Sequence, residues 1–254
     1  MRWNRGASRG RCLAVAAALY VLSIYFLSMP SPQLRAQNAP VAAPTTNPAP
    51  ASRAAPAPHV LLVMIDAAHG GSEPGAALNP AIPEKDVTLA IARRLRDQLA
   101  ARGIPAQLIR DNDATLSTDQ RAQIVNAARP ELYIAIHATS QGSGLRIYSA
   151  MLPAGGDDAG PFLAWETAQS AARSRSQWAQ DQIAAAIHKT GFPLRSLIAP
   201  LRPLNNVTGP ALAIEIAPTT GNVLQLASVD YQQMITAALA NSIASIRGKL
   251  ETAP

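Results

Sequence analysis

HVLLVMIDAAHGG, residues 59–71, is the stretch of sequence that decides the fold. Its first seven residues, His59 to Ile65, form an apolar run as long as one strand, which is typical of a strand buried in a parallel sheet. The small and polar residues after Ile65 end the run and place His69 in the turn that follows. The two glycines behind this histidine would let backbone and ligand approach each other closely.

The sequence after this stretch alternates between strand-like and helix-like segments. Short apolar runs predict strands over 106–109, 132–136, 145–148 and 211–216, and longer patterns predict helices over 86–102, 118–128, 161–189 and 229–248. Asp86 is the predicted cap of the first of these helices, and Gly103 its stop. Alternation of this kind predicts an α/β domain with a largely parallel sheet.

Polar side chains stand where the predicted strands end. His69 follows the first strand, His137 follows the third, Glu215 lies near the end of the last, and Glu84 precedes the first helix. Because the carboxyl ends of parallel strands share one edge of a sheet, these residues could converge there. Two histidines and one carboxylate, with water in the fourth position, form a catalytic type of zinc site. A second carboxylate could then move the proton of the water.

Other interpretations of these residues remain open at this point. A histidine after a strand can be a hydrogen-bonded structural residue. Glu215 lies within an apolar run, where an unpaired carboxylate is costly, so a buried partner such as Arg110 is the structural alternative. Cys12 is the only cysteine and lies near the N-terminus, which excludes a thiol-based site in the rest of the chain.

The N-terminal quarter is typical of an exported protein. Four arginines precede a largely apolar run that ends at Met29, so residues 1–29 are predicted to be a signal peptide or a single membrane anchor. Residues 30–58 are rich in Pro and Ala and predict an extended linker, followed by a folded domain over 59–250. We therefore expect a periplasmic or cell-envelope location, with the inner membrane as the site of any retained anchor.

The distribution of charge argues against nucleic-acid binding. The formal net charge is +6, but residues 1–58 hold six arginines and no acidic residue. Of the 22 basic residues, 16 therefore remain in the rest of the chain, against 16 acidic ones. A nucleic-acid-binding domain would carry the excess positive charge on its folded part.

Several ordered motifs resemble those of the zinc-dependent type 3 N-acetylmuramoyl-L-alanine amidases. The resemblance covers nearly all of 59–248 and is weakest over 151–200. In chain order the motifs are Asp66-Ala67-Ala68-His69-Gly70-Gly71, Glu84-Lys85-Asp86-Val87, Arg110-Asp111, Leu116-Ser117, Arg121, Asn126-Ala127, Ile136-His137-Ala138-Thr139 and the segment from Pro210 to Pro218.

This resemblance implies a fold, a cofactor and a reaction. The fold would be a three-layer α/β sandwich with a largely parallel sheet of about six strands. His69, Glu84 and His137 would bind one zinc ion per chain, and Glu215 would be the catalytic carboxylate. The substrate would be peptidoglycan, cut at the amide between N-acetylmuramic acid and L-alanine, with an activator or divisome protein as a further partner.

The sequence departs from the family pattern beside three of these residues. Ala67-Ala68 replaces Pro-Gly, Thr139 replaces Asn, and Ala217-Pro218 replaces Gly-Phe. Two alternatives therefore stand beside the amidase: a degenerate domain that binds peptidoglycan or a divisome partner, and a related zinc exopeptidase with two metals. Asp66 and Asp86 are available as extra ligands, but the pattern favours a strand-end residue and a helix cap for them. The polar region 161–189 could be a solvated helix, a partner surface or a cover for the cleft.

Overall fold

The computed structural model describes residues 61–152 and 165–250. The predicted signal or anchor over 1–29 and the predicted linker over 30–58 lie outside the described residues, as does the start of the predicted 161–189 helix. Within the described ranges, none of the helices has the length and apolar character needed to cross a membrane.

A six-stranded mixed sheet forms the centre of the domain. Its strands are β1 (Val63–Ala67), β4 (Ala106–Leu108), β5 (Leu132–Ala138), β6 (Gly144–Ala150), β7 (Leu194–Ala199) and β8 (Ala211–Ala217). They lie in the order β4-β1-β5-β8-β6-β7. The first four are parallel, whereas β6 runs antiparallel to β8 and parallel to β7. The start of β6 therefore lies at the same edge of the sheet as the ends of β1, β5 and β8.

Four helices complete the three layers: α1 (Glu84–Ala100), α2 (Thr118–Ala128), α3 (Arg173–His188) and α4 (Val229–Leu250). Side chains of α1, α3 and α4 pack on one face of the sheet, in a core that includes Ile65, Ile134 and Ile214. The other face packs against α2 and the segment around Leu204. A short antiparallel hairpin, β2 (Ala77–Asn79) and β3 (Ile82–Pro83), leads into α1.

The predicted fold class is confirmed, and several details differ. The first helix, α1, starts at Glu84 with Pro83 as its N-cap, so the prediction that Asp86 caps it is wrong: Asp86 lies inside the first turn. The strand β7 was not predicted. The predicted polar helix over 161–189 is described from residue 165, where two 3-10 turns precede α3. One face of α3 is buried, through residues such as Ala179 and Ile183.

Candidate metal centre and catalytic cleft

His69 lies in a tightly held turn directly after β1. Its backbone has φ of 63°, a left-handed conformation that costs a non-glycine residue about 1 kcal/mol. Two buried arginines hold the turn through its carbonyl oxygens. Arg110 donates to the oxygens of Ala67 and Ala68 at 2.8 and 3.1 Å, and Arg121 donates to those of Ala67 and His69 at 2.9 and 2.6 Å. These bonds fix the direction in which the imidazole points.

Glu84, the first residue of α1, lies between the two histidines. Its buried carboxylate contacts Nε2 of His69 at 3.1 Å and Nδ1 of His137 at 3.0 Å. It also accepts hydrogen bonds from the backbone N–H groups of Ala76 and Ala138, at 3.0 and 3.1 Å. Sequence analysis placed Glu84 in the loop before the helix, but its place in the first turn holds it more rigidly. Carboxylates are also favoured at this end of a helix.

The contacts shift the pKa values of this group. Burial by itself would raise the pKa of Glu84, but the hydrogen bonds from His137, His69 and the backbone outweigh it and hold the pKa well below its usual range. Hydrogen bonding to Glu84 raises the pKa of His69, against the opposing effect of burial. The carboxylate is therefore ionised and carries negative charge into the centre of the group.

His69, Glu84 and His137 could together hold a metal ion. Each offers one ligand atom, and these atoms lie within 4.8 Å of one another. The two imidazoles stand edge to face, with ring centroids 5.4 Å apart. Two histidines, one carboxylate and no thiol suit zinc with a position open for water. Of the described residues, only these three form a group with metal-binding spacing.

Glu73 is a residue of this centre that sequence analysis missed. Its Oε1 lies 2.5 Å from Nδ1 of His69, on the side of the ring away from Glu84. A carboxylate on the second nitrogen of a metal-binding imidazole fixes the tautomer and the orientation of the ring. The signal in the sequence was an acidic residue four positions after the histidine.

Glu215 lies beside the candidate metal group, on the strand that neighbours β5. In the register of the sheet it is opposite His137 on β5 and opposite Arg146 on β6. Its Oε2 accepts hydrogen bonds from Arg146 at 2.5 Å and from Tyr148 at 3.0 Å. Within residues 61–152 and 165–250, Oε1 accepts none. A cavity of about 180 Å³ lies over this carboxylate and is also lined by His137, Tyr148 and Leu201.

The structural partner suggested for Glu215 was wrong. Arg110 bonds to backbone oxygens, including that of Lys85 at 2.9 Å, and Arg146 is the partner instead. Asp66, a candidate ligand for a second metal, is also engaged elsewhere. Its two oxygens pair with Arg121 and with the hydroxyl of Tyr133, below the turn that carries His69.

A family model described as N-acetylmuramoyl-L-alanine amidase matches residues 63–245. The chain belongs to this amidase family. The match includes both histidines, Glu84 and Glu215, and it ends within α4.

Individual curated relatives match shorter segments of the chain. The chain is 39% identical over 90 residues to the endolysin of Bacillus phage SPP1, covering 34% of this chain and 33% of the endolysin. It is 39% identical over 77 residues to the amidase AmiA of Salmonella typhimurium, covering 30% and 27%. The matched segments thus span about a third or less of these curated relatives.

Solved structures extend the likeness to the whole fold. The amidase Ami1 from Mycobacterium smegmatis superposes with a TM-score of 0.60 at 20% identity, covering 74% of this chain and 97% of that one. At this level of identity the likeness concerns the fold, and the chemistry must be argued from the residues.

Proposed function

We propose that the chain is a zinc-dependent amidase that hydrolyses the amide between N-acetylmuramic acid and L-alanine in peptidoglycan. The observation that carries the proposal is the position of Glu215, one strand away from the His69, Glu84 and His137 group, in a member of this family. Amide hydrolysis needs an activated water and a group that moves its proton, and the cleft brings together side chains suited to both tasks.

Three residues would hold the metal. His69, Glu84 and His137 are the proposed ligands, and Glu73 would keep the ring of His69 in the required tautomer. Zinc in such a site lowers the pKa of a bound water to about 7 and polarises the carbonyl of the substrate. The hydrogen bonds that Arg110 and Arg121 donate to backbone carbonyl oxygens would keep the turn of His69 in place whether or not the ion is bound.

Glu215 would act as general base and then as general acid. It would accept the proton of the attacking water and deliver it to the leaving nitrogen of L-alanine, so no proton is lost in the cycle. Arg146 and Tyr148 both bind Oε2, which fixes the plane of the carboxylate while Oε1 remains available to the substrate. A rotating carboxylate would spend less time in a reactive geometry.

Polar groups at or beside the three departures from the family pattern form hydrogen bonds within the fold. The oxygens of Ala67 and Ala68 bind Arg110, the hydroxyl of Thr139 accepts from the N–H of Gln141 at 3.1 Å, and the oxygen of Ala217 accepts from Tyr231. The backbone beside each departure is therefore held by hydrogen bonds within the fold.

The domain organisation and location belong to the same proposal. Residues 1–29 would export the chain as a cleaved signal or a retained anchor, and residues 30–58 would tether the domain. The amidase would then meet peptidoglycan in the periplasm or cell envelope. An activator or divisome partner stays a prediction.

Digestion of purified sacculi by the full chain tests the proposal. We expect the zinc-loaded protein to release stem peptides that begin with L-alanine, as detected by mass spectrometry, and a chelator to stop the release. His69→Ala should lose both zinc and activity. One bound zinc per chain without any release of peptides would favour the degenerate binding domain. Two bound metals with cleavage of free peptides would favour the exopeptidase.

A further inference from the structure

A cavity with basic walls lies next to the catalytic cleft. It has a volume of about 470 Å³ and is lined by Ser143, Arg146, His188, Phe192 and Arg195, among others. It adjoins the cleft because Arg146, which forms part of its wall, also binds Glu215. Nothing in the proposed chemistry at the metal group uses this cavity.

The register of the sheet places these arginines in line with the catalytic group. His137 is opposite Glu215, Glu215 is opposite Arg146, and Arg146 is opposite Arg195. Paired residues on neighbouring strands project from the same face, and the strands lie about 4.8 Å apart. The backbone of Arg195 is therefore about 10 Å from that of Glu215, measured across the sheet.

The charge of Arg195 is not neutralised within the described part of the chain. Arg146 is paired with Glu215, whereas Arg195 is exposed and makes no hydrogen bond or ion pair with residues 61–152 or 165–250. The sequence adds to this imbalance, because residues 182–214 contain His188, Lys189, Arg195 and Arg202 but no Asp or Glu. The wall of the cavity is thus a source of positive potential next to the cleft.

We propose that Arg195 binds the C-terminal carboxylate of the stem peptide, as a substrate subsite on the far side of Arg146. This inference rests on the proposed function, which places the scissile amide at the metal group. An extended peptide spans at most about 3.5 Å per residue, so a four-residue stem reaches about 14 Å from that amide. Three strand spacings, about 14 Å, separate the backbone of His137 from that of Arg195, so a stem of this length brings its terminal carboxylate to the Arg195 side chain. A guanidinium can bind a carboxylate through two parallel hydrogen bonds.

Binding of the released peptide tests the subsite separately from hydrolysis. The probe is a synthetic four-residue stem peptide that begins with L-alanine, with its C-terminus either free or amidated, titrated into the full chain by calorimetry or NMR. This peptide lacks the sugar and cannot be cut at the proposed bond. We expect the free form to bind about fivefold more tightly than the amidated form at low salt, and this difference to shrink as salt is added.

Arg195→Gln should remove the difference between the two peptides, and Arg173→Gln is the matched control. Arg173 is an exposed arginine at the start of α3, whereas the cavity adjoins the end of that helix. The control should keep the difference. If the wild-type chain binds both peptides equally or binds neither, or if Arg195→Gln keeps the preference, the subsite is wrong. Absence of hydrolysis in the sacculus assay would instead overturn the proposed function, and the binding experiment would still test whether Arg195 binds the carboxylate.

Discussion

Two groups at this sheet each combine an arginine, a tyrosine and a carboxylate, and they differ in burial. Arg121, Asp66 and Tyr133 form a buried group, with side chains of the arginine and aspartate only 5% and 2% exposed. Arg146, Glu215 and Tyr148 form an open group at the cleft, where the arginine and glutamate are 20% and 26% exposed.

The two groups also differ in how the oxygens of the carboxylate are hydrogen-bonded. In the buried group the arginine and the tyrosine bind different oxygens of Asp66, so both oxygens are satisfied. In the open group both donors bind Oε2 of Glu215, and within the described residues Oε1 accepts no hydrogen bond. The first arrangement fixes the turn that carries His69, and the second leaves one oxygen of Glu215 facing the cleft without a donor among the described residues.

The largest expected effect is on the open group. Glu215→Gln should lower the rate of stem-peptide release by about 10²–10⁴-fold, because an amide cannot act as general base. The free energy of unfolding should change by less than about 0.5 kcal/mol, since glutamine can still accept from Arg146 and Tyr148. Sacculus digestion and urea unfolding measure these two quantities. Asp230→Asn, at an exposed position on α4, is the control. Full activity in Glu215→Gln would remove this residue from the mechanism.

Breaking the buried ion pair should instead affect stability. Arg121→Met leaves Asp66 without its cation and the oxygen of His69 without its donor, so we expect a loss of about 3–5 kcal/mol in the free energy of unfolding. Arg146→Met, in the open pair, should cost less than about 1 kcal/mol. Urea unfolding compares the two variants. Equal losses of stability would mean that burial does not determine how much each ion pair contributes.

Zinc affinity should depend on Glu73 to a smaller extent. Glu73→Gln removes the carboxylate from Nδ1 of His69, and we expect zinc affinity to fall by about tenfold. This is the low end of such effects because the Glu73 side chain is 62% exposed. Competition with a chromophoric chelator measures the affinity. Ser72→Ala, in the same turn, should leave it unchanged, and a similar loss in both variants would assign the effect to the turn rather than to the carboxylate.

Removing the tyrosine hydroxyl from each group should have the smallest effects on stability, and the same substitution can be made in both groups. Tyr133→Phe removes the hydroxyl that binds Asp66 in the core, which should cost about 1–2 kcal/mol of stability. Tyr148→Phe should stay within about 0.5 kcal/mol of wild type, because water can replace the lost donor at the cleft. Thermal unfolding followed by circular dichroism compares the two variants. A larger loss of stability in Tyr148→Phe would contradict the view that the buried group contributes more to stability.

Local patterns in the sequence were sufficient to predict most of the fold. The helix α2 was predicted with its observed bounds, and the structure shows a reciprocal cap between Ser117 and Gln120 at its start. The strand β7 was missed because it is an edge strand with mostly exposed residues and no clear alternation. The cap of α1 was also predicted wrongly, because the hairpin before it brings Pro83 to the N-cap position, and no local pattern predicted that hairpin.

The site was predictable only where its residues stand at strand ends or in motifs. His69, Glu84, His137 and Glu215 were named from such positions, and the structure brings the first three within ligand distance of one another. Arg146 was not named because it lies at the start of its strand. It reaches the catalytic edge only because β6 runs antiparallel to β8, and the direction of a strand is a property of the whole sheet.

The two donors to Glu215 are two residues apart on one strand, β6. Both side chains reach the carboxylate only because alternate residues of a strand point to the same face. Arg146 and Tyr148 share one face of β6, while Leu145 and Ile147 are buried on the other. A single residue inserted after Gly144 would exchange the faces, since side chains alternate along a strand. Leu145 and Ile147 would then point toward the carboxylate of Glu215, and the guanidinium of Arg146 would point into the apolar layer beneath α3. Folding of the domain and orientation of the Glu215 carboxylate therefore depend on the same strand length.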